Sequence, residues 1–532
     1  MDTTSDANLV DDWVDHNLLN TDPALQAALR EAAPQALEPL SRYGAVLGST
    51  ATARLAREAN RQGPQLRQLD ARGRRIDQLD FHPAWHELLT LLRGQGLIAA
   101  PFDSDTPGRW SAFAAGFYLH GQVEAGSLCP ATMTQAAIPL LRRQPELFEP
   151  LRARLFSREQ DARDLPIAAK SAIWVGMGMT EKQGGSDLRR VQTTATEQPD
   201  GSWQISGHKW FFSAPDSDAH LVLARAPAGP TCFWLPRYRP DGSRNAVQVL
   251  RLKDKLGNRS NASSEVEFHG AWAQRVGEEG RGIATLVEMA GYTRLNCVIG
   301  SAALLRAGLV QALHNARHRQ AFGRRLVDQP LMQTVLADLA LESEAAMRLM
   351  LRLAQGFEHG EPAWQRLMTP AAKLWVCKRA VECSGEAMEL LGGNGYVEDG
   401  VLARLYREAP VNSIWEGSGN VMALDVLRAV AREPAVALAL LDELHAGSDD
   451  APVRATLEGL RQRLAGDPAA LEPQARRIAQ ELVLCAQAVL MRQQAGTVAA
   501  DAFVQTRFGD GGRLLGTQPL AQTGALLDAA LL

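Results

Sequence analysis

Residues 176–187 read GMGMTEKQGGSD, and they follow the point near residue 171 where the chain changes from helical to β-rich patterning. Before that point, segments such as 23–33, 85–95 and 130–142 carry apolar residues three and four positions apart, which is typical of amphipathic helices. After it, short apolar and β-branched runs alternate with turns, at 191–196, 203–205, 220–224, 231–235, 247–252 and 265–269. This alternation predicts a compact β domain that extends to about residue 275.

Helical patterning returns at residue 282 and continues to about residue 430, with long amphipathic segments at 295–318 and 332–354. Breaks near Gly447, Gly466 and Gly496 divide the last hundred residues into about four further helices. The fold class is therefore predicted to be α+β. We place an N-terminal helical domain at 1–170, a central β domain at 171–280, a helical bundle domain at 281–432 and an extra C-terminal helical domain at 433–532.

The composition is that of a folded protein and not of a uniformly basic nucleic-acid binder. Of the 532 residues, 46% are hydrophobic and 22% charged, and the net charge is -4. A stretch at 54–75 departs from this average, because it holds seven arginines and only two acidic residues, Glu58 and Asp70. It predicts a local basic surface, of the kind that attracts polyanions.

No metal site or membrane segment is expected. The six cysteines have no metal-ligand spacing, and His314 and His318, four residues apart, have no third ligand nearby. The acidic N-terminus has no apolar core, and no uninterrupted apolar run approaches the length of a membrane helix. We expect a cytoplasmic protein with reduced cysteines and no membrane partner.

Two segments carry candidate chemistry. Gly184 and Gly185 allow backbone amides to approach a ligand closely, and Thr180 and Ser186 add hydroxyls, which together suit an anion such as a phosphate. The alternative is an ordinary surface loop. Glu416 lies between an aromatic residue and a glycine, where desolvation would make its carboxylate a stronger base. The alternative is an ion-paired acid or one at a helix N-terminus.

Six motifs, taken in order, resemble the acyl-CoA dehydrogenase flavoprotein family. They are MTE with GSD (179–187), GHKWFFS (207–213), GEEG (277–280), RQAFG (319–323), GGNG (392–395) and WEG (415–417). The segment RLYREAPVNSIWEGSGN (404–420) and the extra C-terminal domain resemble a subgroup of that family that takes part in the adaptive response to DNA alkylation.

The resemblance implies three domains, the central one β-barrel-like, assembled as a homotetramer around FAD. It implies that Glu416 is the catalytic base; the position used for the base in some relatives holds Thr293 here, which cannot serve. Glu389 stands where many relatives carry glutamine. The positions that match cofactor-binding residues are Met177, Met179, Thr180, Gly185, Ser186, Phe211, Phe212, Ser213, Arg319, Phe322, Gly393, Ser418 and Asn420.

The resemblance also implies two alternative functions. In the first, the protein binds double-stranded DNA through its C-terminal domain, together with the 54–75 stretch, and protects it from alkylation, with weak activity on an isovaleryl-CoA-like substrate. In the second, it is a metabolic dehydrogenase of a short or branched acyl-CoA without a DNA role. Arg294 and Arg428 are candidates for contact with either substrate or DNA.

Overall fold

The computed structural model describes residues 8–467, 470–509 and 514–531, which fold into two compact units. The helical unit comprises Met1–Thr50, Thr106–Val123 and Arg294–Leu532. The barrel unit comprises Ala51–Asp105 and Glu124–Thr293. The predicted linear domains differ from this division, because the first 170 residues are shared between the two units.

Helices make up most of the described residues, as their apolar spacing predicts. In chain order they are α1 (Pro23–Ala32), α2 (Leu37–Leu47), α3 (Thr50–Arg61), α4 (Pro83–Gly94), α5 (Ala100–Asp103), α6 (Arg109–Val123), α7 (Leu128–Arg142), α8 (Pro145–Leu155), α9 (Gly282–His318), α10 (Pro330–His359), α11 (Thr369–Glu389), α12 (Val401–Asn412), α13 (Gly419–Arg432), α14 (Pro434–Ala446), α15 (Ala451–Leu464), α16 (Ala475–Gln494), α17 (Thr497–Phe508) and α18 (Thr523–Ala530).

The strands form one large sheet and two hairpins. They are β1 (Gln65–Leu69), β2 (Arg75–Asp80), β3 (Val175–Gly178), β4 (Thr194–Glu197), β5 (Trp203–Ser213), β6 (Ala219–Ala226), β7 (Gly229–Pro236), β8 (Val247–Leu252), β9 (Ser263–Val276), β10 (Gln320–Ala321) and β11 (Arg324–Arg325). β1 pairs with β2, and β10 pairs with β11, both antiparallel.

The large sheet closes on itself, which confirms the β-barrel-like fold. The pairing runs from β4 to β5, β9, β7 and β6, and the single bridge Thr194–Arg225 joins β6 back to β4. β3 shares an edge of β6 with β4, and β8 pairs with β9. Apolar side chains fill the interior, including Trp203, Phe212, Phe233 and Phe268. Closure removes the open sheet edges and fixes which face of each strand points inward.

The prediction that residues 1–170 are helical is wrong at the β1–β2 hairpin. The turn forms because the Asp70 carboxylate accepts hydrogen bonds from the amides of Arg72 and Arg74, and Gly73 adopts a positive φ of 74°. These local contacts provide the turn chemistry that joins two antiparallel strands.

The hairpin also changes the interpretation of the 54–75 stretch. Ion pairs engage at least four of its seven arginines: Arg54 with Glu58, Arg67 with Asp80, Arg74 with Asp70, and Arg75 with Asp77. Asp77 and Asp80 follow the 54–75 stretch in sequence, and the pairing of β1 with β2 brings them next to its arginines. The local basic surface is therefore weaker than the sequence predicts.

The two helical segments expected at 282–290 and 295–318 form one continuous helix, α9. By length and composition alone, α9 is a candidate membrane span. However, 89% of its most apolar 18-residue window is buried inside the structure, which is typical of a core helix.

The C-terminal region has five described helices, α14–α18, where about four were predicted. A buried charge network attaches α17 to α10: Arg507 Nη1 lies 2.7 Å from Asp338 and Nη2 lies 2.8 Å from Glu342. Arg379 of α11 contacts Glu342 at 3.2 Å. Burial alone would raise the pKa of Glu342, but the two guanidinium groups outweigh it and lower that pKa. The extra helices are thus anchored by compensated buried charge.

We expect Arg507→Met to lower the free energy of unfolding by about 3–5 kcal/mol, because Asp338 and Glu342 would lose a buried counter-charge. Chemical denaturation followed by circular dichroism measures this change. Arg477→Met is the matched control, since Arg477 is exposed and Glu481 keeps its contact with Arg463; it should cost about 1 kcal/mol or less. Equal losses in the two variants would contradict the anchoring role.

Candidate active site

A buried ion pair organises the loop that follows β3. The Glu181 carboxylate accepts hydrogen bonds from Lys209 Nζ at 2.6 Å and from the amides of Gln192 and Thr193 at 2.7 and 3.1 Å. Lys209 Nζ also donates to the Leu223 carbonyl at 2.7 Å. The Lys209 and Glu181 side chains are 0% and 1% exposed. The pair therefore ties the loop to β5 and β6.

Both members of this pair have shifted pKa values. Burial lowers the pKa of Lys209 to about 8. Burial raises the pKa of Glu181, but the Lys209 ammonium and the hydrogen-bond donors outweigh it and bring the pKa to about 2. Both groups are therefore charged at neutral pH. The stability that Glu181 contributes is present above its ordinary value of 4.5 and is lost as the pH falls towards 2.

The outer part of the same loop offers unused hydrogen-bond donors. Among the described residues, the hydroxyls of Thr180 and Ser186 donate no hydrogen bond to a protein group. The same holds for the backbone amides of Gly185 and Ser186. A Cβ at Gly185 would lie 3.0 Å from Thr180 Cγ2, so a glycine keeps this space open. Several free donors on one exposed loop fit the pyrophosphate of a dinucleotide such as FAD.

The three cofactor-binding positions predicted at the end of β5 lie in different surroundings, and two of them, Phe211 and Ser213, match the pair beside the flavin ring. Phe211 is 49% exposed, and the half-buried Ser213 hydroxyl lies 3.1 Å from that of Ser263. Phe212 is instead a core residue, whose ring stacks on His220 with the centroids 3.8 Å apart. The strand alternation turns its side chain inward. We therefore keep Phe211 and Ser213 as candidates for cofactor contact and assign the Phe212 side chain to the barrel core.

β3 packs against this aromatic pair. A Cβ at Gly178 would lie 2.8 Å from the Phe212 ring, and one at Gly176 would lie 2.4 Å from the His220 ring. Only glycine permits such a close approach. Met177 is buried between these glycines, and Met179 is half-buried at the start of the loop.

Lys253, which belongs to no motif in the sequence, lies close to two aromatic rings. Its Nζ lies 3.8 Å from the centre of the Trp210 ring and 4.5 Å from that of Phe211. These cation–π contacts place the Lys253 ammonium, which is also paired with Glu265 at 2.8 Å, beside half-buried Trp210 and exposed Phe211. A lysine in a β-rich segment gives no signal of this contact, which depends on β5 and β8 both pairing with β9.

In the helical unit, Glu416 occupies a strained turn between α12 and α13. Glu416 has a φ of 58° and Gly417 a φ of 104°, so two successive residues adopt positive φ. The Glu416 carbonyl accepts a hydrogen bond from Arg294 Nε at 3.2 Å. A non-glycine residue in this conformation is costly and persists only where the surroundings hold it, as they do at functional sites.

Arg294 and Arg428 share one carboxylate. Arg294 Nη1 lies 2.8 Å from one Asp425 oxygen, and Arg428 Nη1 lies 2.9 Å from the other. Arg294 is largely buried, whereas Arg428 is 61% exposed. Arg294 therefore supports the turn that carries Glu416, and Arg428 presents part of its guanidinium to the surface.

The other predicted residues of the helical unit lie at its surface. Arg319 is half-buried, and its Nη1 donates to the Asn8 carbonyl at 2.7 Å. Phe322, 97% exposed, occupies the turn between β10 and β11. Gly393 is exposed, and Ser418 and Asn420 lie at the exposed N-terminus of α13. The predicted site residues are thus divided between the two units.

The described part of the chain contains no group of three or more histidine, cysteine or acidic residues that could hold a metal ion. His318 Nδ1 instead lies 2.8 Å from the carbonyl of His314, one turn earlier in α9.

Three family models match the chain. "Adaptive response protein AidB N-terminal domain" matches residues 8–162, "Acyl-CoA dehydrogenase, middle domain" matches residues 176–271, and "Acyl-CoA dehydrogenase, C-terminal domain" matches residues 280–431. The matches are consecutive, and together they include the loop after β3 and the turn with Glu416.

The chain is similar to whole proteins as well. It is 48% identical over 427 residues to AidB of Escherichia coli (strain K12), which is named as an acyl-CoA dehydrogenase, and the match covers 79% of each chain. It is 32% identical to acyl-CoA dehydrogenase family member 11 of Caenorhabditis elegans, over 80% of this chain and 72% of the relative. The crystal structure of C. elegans ACDH-11 in complex with C11-CoA superposes with a TM-score of 0.87 at 27% identity and covers 100% of this chain and 92% of that one.

We expect Lys209→Met to lower the free energy of unfolding by about 3–5 kcal/mol, because Glu181 would remain buried without its cation. Adding Glu181→Gln should recover part of this loss by removing the uncompensated charge. Lys182→Met, on the exposed surface of the same loop, is the control and should cost about 1 kcal/mol or less. Denaturant titration of the four proteins checks this order, and a Lys209→Met protein as stable as the control would refute it.

Proposed function

This chain belongs to the acyl-CoA dehydrogenase family, and we propose that it removes two hydrogens from an acyl-CoA thioester with Glu416 as the base. Membership makes it an FAD-dependent, acyl-CoA dehydrogenase-like oxidoreductase. The observation that carries the assignment of the base is the turn between α12 and α13. It holds Glu416 in a left-handed conformation and fixes its carbonyl with Arg294.

The proposed roles follow from the chemistry of the reaction. A thioester acidifies its α C–H, and the Glu416 carboxylate takes that proton. FAD, when bound, supplies the acceptor for the hydride that leaves the β-carbon. Thr180, Gly185 and Ser186 would bind its pyrophosphate with their free donors, and Phe211 and Ser213 would contact its ring. Orientation of the two reacting carbons is the main contribution of the protein.

The relatives leave a choice of acyl chain. We favour an isovaleryl-like, short or branched acyl-CoA that is oxidised weakly, and the alternative is efficient metabolic oxidation of such a substrate without a DNA role. The structure of C. elegans ACDH-11 contains C11-CoA, so longer acyl chains belong in the same comparison. A panel of thioesters that spans these lengths, tested anaerobically for bleaching of the flavin absorbance, separates these alternatives.

We expect Glu416→Gln to abolish flavin bleaching by the best thioester, with a loss in rate of at least about 100-fold, because the amide cannot accept the α-proton. The FAD content, measured from the absorbance of the purified protein, should remain that of the wild type. Glu433→Gln, which removes an exposed carboxylate at the C-terminal end of α13, is the control and should retain bleaching. Wild-type bleaching in Glu416→Gln would remove Glu416 from this role, and a wild-type protein that no thioester bleaches would refute the proposed activity.

We further propose a homotetramer that acts in the cytoplasm. The exposure of Phe322 and Tyr396, at 97% and 79%, supports an assembly in which a second copy covers these side chains.

We also propose, as a second function, the binding of duplex DNA in an adaptive response to alkylation. Its support is the match of residues 8–162 to the adaptive-response N-terminal domain and the similarity to AidB. Ion pairs with acidic residues engage Arg461, Arg463 and Arg477 of the C-terminal region. Arg476 is exposed and has no carboxylate partner among the described residues, and a Cβ at Gly419, in the first turn of α13, would lie 3.6 Å from its Nη2. A free guanidinium beside helix amides suits a phosphate.

If DNA binds there, Arg476→Glu should weaken duplex affinity and reduce the slope of log affinity against log salt by about one. Fluorescence anisotropy of a labelled duplex at several salt concentrations measures both quantities. Arg42→Glu makes the same change in charge on α2 and should leave the slope unchanged. A wild-type protein without salt-dependent binding would eliminate the DNA function, and equal slopes in wild type and Arg476→Glu would eliminate this site.

A further inference from the structure

Lys373 of α11 is a buried cation that the proposed reaction has not used. It is 1% exposed, and its Nζ donates a hydrogen bond to the Gly417 carbonyl at 2.7 Å. No carboxylate forms an ion pair with it among the described residues. The acceptor belongs to the residue directly after Glu416.

Among the described residues Lys373 has no ion-pair contact with a carboxylate, although Lys373 and Glu416 both lie within electrostatic range of Cys297. Two buried thiols, Cys297 and Cys377, lie within electrostatic range of the ammonium. Burial raises the pKa of both thiols, so that both are neutral and neither supplies an anion. A buried ammonium without a counter-ion is expensive unless its hydrogen bonds compensate. The hydrogen bond to the Gly417 carbonyl is therefore the interaction that compensates for the burial of the Lys373 ammonium.

The turn itself needs such a contact. Two successive positive φ angles direct the carbonyls of Glu416 and Gly417 towards cationic side chains, Arg294 Nε at 3.2 Å and Lys373 Nζ at 2.7 Å. A Cβ at Gly417 would lie 2.4 Å from Met422 Cε, so the backbone is also closely packed on its other side. Removal of one cation would leave a carbonyl unpaired in a turn that is already strained.

We propose that Lys373 is a positioning residue for Glu416: its ammonium fixes the Gly417 carbonyl and so holds the strained turn in the one conformation that presents the carboxylate. This inference rests on the proposed role of Glu416 as the base. Arg294 acts on the preceding carbonyl, but Asp425 balances its charge. Lys373 contributes a positive charge near Glu416 as well as the hydrogen bond to Gly417, and only a side chain that keeps both should replace it.

The test compares Lys373→Met, Lys373→Arg and Lys378→Met in the full-length, FAD-loaded protein. Lys378 is the matched control, because it lies five residues later on α11 and its Nζ contacts the Ser413 hydroxyl at the other end of the same turn, at 3.4 Å. In Lys373→Met we expect kcat to fall about 100-fold, with KM changed less than about threefold, because the base is displaced while substrate binding persists. Lys373→Arg should recover at least about tenfold of that loss, and Lys378→Met should match the wild type.

A second measurement reports the turn directly. Amide hydrogen exchange in a peptide that covers residues 411–422 should be about tenfold faster in Lys373→Met than in the wild type, and unchanged in Lys378→Met. Where Lys373→Met does not fold, Lys373→Gln takes its place. Wild-type kcat together with wild-type exchange in the neutral variant would overturn the proposal. So would a loss of kcat that Lys373→Arg leaves unrelieved.

The two proposals fail in different ways. If no thioester is oxidised by the wild type, the proposed activity is refuted, and amide exchange in 411–422 still decides whether Lys373 holds the turn. If oxidation proceeds and Glu416→Gln abolishes it, wild-type exchange and kcat in the neutral Lys373 variant refute the positioning role alone.

Discussion

The ion pair between Lys209 and Glu181 is the constraint on which the candidate cofactor surface depends. Neither side chain is exposed, and the pair joins the loop after β3 to the middle of β5 within the barrel unit. The Glu181 carboxylate also accepts the amides of Gln192 and Thr193, so the same group determines where the loop leaves the barrel and where it returns. Because these inner bonds are satisfied within the protein, Thr180, Gly185 and Ser186 are left with donors that face outward.

The helical unit uses buried charge in a different way. Arg507, Asp338, Glu342 and Arg379 form a compensated network that attaches the extra helices, and its function is structural. Lys373 forms no ion pair with a carboxylate among the described residues, and its bond goes to a backbone carbonyl in a strained turn. A carboxylate in an ion pair neutralises most of the electrostatic field of the cation. A cation that is hydrogen-bonded to a neutral carbonyl still exerts its field on the groups around it. This difference distinguishes a group that holds helices together from one that acts on the base.

The sequence predicted elements whose signal is local. The strand predicted at residues 247–252 has the same bounds in the structure, where it is β8. The helices α1 and α7 form where the apolar spacing predicts helices. The β1–β2 hairpin was missed because its turn depends on the Asp70 side chain and its strands alternate polar residues with few large apolar ones. Glu416 was identified through its motif, but Lys373, 43 residues earlier in a helix, carried no signal. Its role depends on α11 packing against the turn, which only the tertiary structure provides.

Charge counts illustrate the same limit and bear on the choice between functions. A window of seven arginines and two acids predicts a basic surface only if the arginines stay free, and chain folding decides that by bringing Asp77 and Asp80 back across the hairpin. The same holds in the C-terminal region, where Glu481 alone engages two arginines. The attraction of this region for a polyanion depends on single groups such as Arg476, which has no carboxylate partner among the described residues, and not on the total charge. A DNA role for this chain therefore depends on whether a few such groups align, whereas the dehydrogenase role depends on a turn and a loop whose geometry is already fixed within each unit.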